Sequence, residues 1–148
     1  MHTLYIKHHI DIHRVSQFIG KTRMWLNYNN IDLQLIPQRV IYTPDADLAE
    51  GYFLEPEDDD RGSVCVATKL PDRIWLTTLG HELGHVHQYI ENCPLYEKGG
   101  YRAEADAERR AQKMMIDNKL PVDPEWHKAE TDNYLAELRE TPYEPGER

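Results

Sequence analysis

Cysteine is scarce in this chain: only Cys65 and Cys93 occur among 148 residues. Two cysteines exclude a disulfide scaffold, and their separation excludes a CxxC thiolate knuckle. Both are expected to be reduced and largely buried. Long apolar runs are also missing. No stretch approaches the ~20 residues that span a bilayer, and no N-terminal segment joins a basic start to an apolar run of signal length. No membrane association is therefore expected, and the default address is the cytoplasm. Positive charge is outnumbered, with 17 Lys and Arg against 26 Asp and Glu and a net charge of −9. Binding nucleic acid through its phosphates needs a basic footprint, so no such partner is expected.

The chain is long enough for one domain that buries a core without covalent staples. Ile12, Val15, Phe18, Ile19 and Leu26 recur at near-helical spacing and predict a helix ending near Asn29–Asn30. Leu33 to Ile36, Arg39 to Thr43, Gly51 to Leu54 and Ser63 to Thr68 read as strand pieces. The acidic run Glu57-Asp58-Asp59-Asp60 reads as a solvated loop. From Arg73 to Glu91, Leu76, Leu79, Leu83, Val86 and Ile90 alternate by three and four, forming one apolar stripe on a long helix that Pro94 stops. A loop with a Gly99-Gly100 turn leads to a second helix, Tyr101 to Asn118. A third is expected from Glu125 to Arg139. These elements predict an α+β fold in a single domain over residues 1–141, with 142–148 a disordered tail.

The long helix contains His81-Glu82-Leu83-Gly84-His85, the HExxH pattern. Residues four apart lie one turn above each other, so both imidazoles can reach one metal ion on the side opposite the apolar stripe. Glu82 is rotated aside, where a carboxylate can take a proton from a zinc-activated water as it attacks a carbonyl. The chain's own residue frequencies give about a four per cent chance of one accidental match. A catalytic zinc wants a third protein ligand and an open position. Glu104 and Glu108 share a face of the second helix, whereas Asp106 points nearly the opposite way. Ala103, Ala107 and Ala111 lie beside that face and allow close helix approach. Glu104, in the first turn, is the expected third ligand to one zinc per chain. Glu108 either orients a ligand histidine or forms a solvated ion pair.

Several segments together carry a resemblance: Ala49-Glu50-Gly51-Tyr52, Val64-Cys65-Val66, Leu70-Pro71-Asp72, Thr78 through His85, and Ala103-Glu104-Ala105-Asp106. They resemble the ImmA/IrrE family of small metallopeptidases found in phages, mobile elements and bacteria, and the likeness covers roughly residues 49–118. It implies a minimal zincin-like domain, with a small mixed or antiparallel sheet packed against the HExxH helix and a second, ligand-bearing helix. It also implies gluzincin-type zinc ligation by the glutamate of the Glu-Ala-Asn signature, here Glu104. The implied substrate is a protein or peptide held by β-addition to an edge strand, inside the bacterial host cell if the chain is phage-encoded. Asp106 stands where the signature has asparagine, and Glu108-Arg109-Arg110 replaces aromatic and small residues. No helix-turn-helix partner domain is evident.

Other residues are expected to play lesser parts. Tyr96 or Tyr101 is a possible oxyanion donor, with packing as the plainer role. His8, His9 and His13 read as surface histidines, and His87 as packed against the apolar stripe. Two alternatives to a peptidase stand beside it: a zinc-containing regulatory or binding module with little turnover, and a hydrolase acting on another carbonyl.

Overall fold

Asp11 opens the first helix. Its carboxylate accepts a hydrogen bond from the His13 backbone N–H at 2.9 Å, satisfying one of the unpaired donors of the first turn. In the computed structural model, which describes residues 11–120, this helix, α1, spans Ile12–Tyr28. It ends at Asn29, and Asn30 turns the chain through a left-handed φ of 62°, which asparagine tolerates better than most residues. The order then runs β1 (Ile31–Ile36), β2 (Ile41–Tyr42), β3 (Leu48–Ala49), β4 (Gly51–Leu54), β5 (Gly62–Ala67), α2 (Asp72–Ile90), α3 (Pro94–Lys98) and α4 (Gly100–Asp117).

The fold is α+β. Its main sheet is mixed, in the order β1-β5-β4: β1 runs parallel to β5, and β4 antiparallel to it. A separate two-stranded sheet pairs β2 with β3. The central strand β5 is buried on both faces, which explains its unbroken Val64-Cys65-Val66-Ala67 run. Val64 and Val66 join Leu33, Leu76, Leu79 and Leu83 in the main core. Cys65 and Ala67 face the other way, onto Ile41, Tyr52 and Leu70.

Four observations depart from the sequence reading or refine it. Helix α2 buries two faces: its apolar stripe meets the sheet, and Gly80, Gly84 and Gln88 are buried as well. A β-carbon on Gly84 would lie 2.3 Å from the Ala107 carbonyl oxygen, so the backbones of α2 and α4 touch there. Ala103, Ala107 and Ala111 line the contact from α4. The long helix stops at Ile90 with Glu91 as its C-cap, before Pro94, and Pro94 instead begins α3, since its missing N–H and fixed φ suit the first position. The expected Arg39–Thr43 strand shrinks to Ile41–Tyr42, with Leu48–Ala49 as its unforeseen partner. The acidic run folds into a tight turn, in which Glu57 and Asp60 exchange backbone hydrogen bonds of 3.0 and 2.7 Å.

Both cysteines are free, Cys65 buried but Cys93 only half-buried. Among the described residues, no helix is long and apolar enough to cross a membrane. The expected helix Glu125–Arg139, the tail 142–148 and His8 and His9 lie outside the described residues. So do the outer parts of the 1–141 domain. His13 is exposed at the start of α1.

Candidate metal centre

The HExxH segment occupies the middle of α2, where Leu79, Leu83 and Val86 anchor one face in the core. His81 and His85 project on another face, toward α4. The Gly84–Ala107 contact brings α4 close enough for the carboxylate of Glu104 to meet both rings. Glu104 Oε2 lies 2.6 Å from His81 Nε2 and 3.1 Å from His85 Nε2, and the two Nε2 atoms are 3.2 Å apart. Among the described residues, His81, His85 and Glu104 are the one group whose ligating atoms gather within 4.8 Å, and such a group can hold a metal ion. Two imidazole nitrogens and one carboxylate oxygen are a donor set found in three-ligand catalytic sites. Tetrahedral ligation with bonds of ~2.1 Å separates donors by roughly 3.4 Å, so these side chains need to spread by less than about 1 Å.

Glu108 sits one turn beyond Glu104 and is buried, at 7 % exposure. It forms a short contact with His81 Nδ1. The acceptor is a carboxylate, so Nδ1–H of His81 donates to Glu108, and this orientation turns Nε2 toward Glu104. At this contact Glu108 is buried rather than solvated. Asp106 stays away from the three ligand atoms. It accepts hydrogen bonds from Gln88 Nε2 at 2.9 Å and Arg110 Nε at 2.8 Å.

The charges reinforce one another. Burial alone lowers the pKa of His81, but the carboxylates of Glu104 and Glu108 outweigh it and raise the pKa to about 10. His85 is raised for the same reason, burial being overcome by Glu104. Conversely, burial pushes Glu104 up, but the two imidazoles win and hold it at about 2. These values belong to the protein without an ion. A metal ligates neutral imidazole, so binding must displace protons. Glu82 behaves differently. It is no member of the ligand group, and burial raises its pKa against the pull of His81 and His85. Its Cγ is 3.6 Å from where a β-carbon on Gly51 would stand, so the start of β4 lies against it.

A cavity of about 720 Å³ opens beside the ligands, lined among others by His85, Glu104, Tyr89, Tyr96, Glu55 and Glu97. Tyr96 is one of the two tyrosines considered from sequence, and its hydroxyl donates to Glu55 at 2.7 Å. Tyr101 does not line the cavity. Phe53, Tyr89 and Tyr96 pack with ring centroids 5.7–6.3 Å apart, tying β4, α2 and α3 together at the cavity wall. His87 stacks on Trp25 at 4.4 Å and takes no part in the group. Gln88 is the residue at this site that the sequence reading missed. It lies 2.9 Å from His85 Nδ1. Its signal was its position three residues after a ligand on one helix, which puts the two side chains side by side.

No family model, curated protein or solved structure matches this chain.

Proposed function

We propose that the protein is a zinc-dependent metallopeptidase in which His81, His85 and Glu104 hold one zinc ion and Glu82 is the general base. The observation that carries this reading is Glu82 itself: a half-buried carboxyl beside two histidines of the ligand group, outside that group, with its pKa raised by desolvation. A site that only braced the fold has no use for such an acid, whereas a base must take up a proton near neutral pH. Zinc suits two nitrogens and one oxygen, and when bound it supplies Lewis-acid charge and lowers the pKa of water.

The chain's own residues supply the remainder. Glu82 accepts the proton of the attacking water and returns it to the leaving amine. Glu108 holds His81 in one ring orientation. Strand β4 is an edge of the main sheet, and among the described residues no strand pairs with its outer side. An extended peptide added there would run past Gly51 and Glu82, which favours a protein or peptide substrate over a small carbonyl compound. An ImmA/IrrE-like role in the cytoplasm of a bacterial cell belongs to the same proposal and rests on the sequence resemblance.

The test is cleavage of a degenerate peptide mixture by zinc-loaded protein, read by mass spectrometry, with Glu82→Gln alongside. The expected result is cleavage by the wild type, lowered ~10²–10⁴-fold in Glu82→Gln with zinc content unchanged. Equal rates would remove Glu82 from the chemistry. Loss of zinc in the variant would make it a structural residue.

A further inference from the structure

The side chain of Gln88 is completely buried, so both ends of its amide need partners. An amide can be placed in two orientations that differ only by exchange of oxygen and nitrogen, and its neighbours must decide between them. At one end stand the Ala103 carbonyl oxygen and Asp106 Oδ2, each 2.9 Å away. A backbone carbonyl can only accept. Asp106 is likewise an acceptor, since the same Oδ2 also takes a hydrogen bond from Arg110 Nε at 2.8 Å. The nitrogen of Gln88 must therefore face this end. The reverse orientation would set its oxygen against two other oxygens with no proton between them.

The other end is then fixed. Gln88 Oε1 lies 2.9 Å from His85 Nδ1 and can only accept. From this chain of contacts we infer that Gln88 is a positioning residue that keeps a proton on His85 Nδ1 and so reserves Nε2 for the metal. His85 Nε2 is the ring atom that lies 3.2 Å from His81 Nε2 and 3.1 Å from Glu104. The two ligand histidines, one turn apart, are thus oriented by different chemistry: a carboxylate for His81 and a neutral amide for His85. Glu82, Glu104 and Glu108 already crowd one small volume, and an amide orients the second ring without a fourth negative charge. The amide is anchored from behind. Arg110 donates both to Asp106 and to Glu91, which follows the last turn of α2, so the lock runs from α2 through α4 and back.

The effect on zinc rests on the reading above, but the proton placement does not, and the test separates them. Full-length protein with ¹⁵N-labelled histidine is compared zinc-free and zinc-loaded by long-range ¹H–¹⁵N spectroscopy. Zinc affinity is measured by chelator competition, and folding by circular dichroism. A His85 Nδ1 proton that exchanges slowly with water is expected in both forms, with zinc bound through Nε2. In Gln88→Leu that proton should exchange fast, and the zinc dissociation constant should rise ~10–100-fold. The inference is overturned if wild-type His85 lacks a slow Nδ1 proton, if zinc binds through Nδ1, or if a folded Gln88→Leu keeps both proton and affinity. If Gln88→Leu does not fold, the zinc-free wild-type spectrum decides alone. A wild type that shows the protected proton but takes no zinc supports the lock and refutes the zinc reading.

Discussion

At the scale of single residues, the site is a set of ionisable groups that depend on one another. Glu104 meets both imidazoles, so Glu104→Ala should weaken zinc binding more than any other acidic substitution here. Glu108→Ala leaves the donor set intact and loosens one ring, so the loss should be the smaller ~10–100-fold typical of orienting partners. Chelator competition on both variants checks the order, and a greater loss in Glu108→Ala would exchange their roles. The pH dependence follows from the same charges. With His81 raised to about 10, zinc must displace a proton at neutral pH, and apparent affinity should climb about tenfold per pH unit for each proton released. Titrations at pH 6, 7 and 8 read this directly, and a flat profile would contradict it. Without zinc, the two shifts act on stability at opposite ends of the pH scale. His81 has a raised pKa, so its stabilisation is complete below about 6.5 and is lost as pH rises toward about 10. Glu104 has a depressed pKa, so its stabilisation is complete above about 4.5 and is lost as pH falls toward about 2.

At the scale of elements, the glycines separate propensity from packing. Gly20 in α1 has no atom within 4 Å of where a β-carbon would stand, and it is exposed. Gly20→Ala should therefore stabilise by ~0.4–1 kcal/mol through helix propensity and a stiffer unfolded chain. Gly84→Ala has the same propensity gain, but the new methyl meets the Ala107 backbone at 2.3 Å. Overpacking of that kind costs ~1–3 kcal/mol, and pushing α4 away also separates Glu104 from the histidines. Thermal melts with and without zinc should show opposite signs for the two variants, and a stabilised Gly84→Ala would remove the close contact from the account. The same comparison shows what the sequence makes legible. The Leu76-to-Val86 stripe repeats strongly enough to place α2 and orient its histidines, and the alanines of α4 suggest close approach. The second buried face of α2 is carried by two glycines and Gln88, which have no hydrophobic periodicity to detect. Short elements such as β3 and α3 exist because tertiary neighbours stabilise them, so local patterns predict them poorly.

At the scale of the whole molecule, the ligand group joins α2 to α4, elements held also by a seam of small side chains and by the hydrogen bonds of Gln88 and Arg110. An ion bound only by the folded chain adds about 2.7 kcal/mol at a free concentration one hundred times its dissociation constant. Melting temperature should rise by several degrees with zinc and fall again with a chelator, and identical melts would exclude tight binding. The sheet has a consequence of another kind. Its middle strand, β5, is the last of the three in the chain, so β1 and β4 are both synthesised before the strand they pair with exists. On a ribosome, two unsatisfied strands must wait until residue 67 has emerged, and α2 needs that finished surface to bury its leucines. The order of synthesis thus makes the first half of this chain a client with exposed edges. It also makes the arrival of Gly62–Ala67 the event that lets the core close.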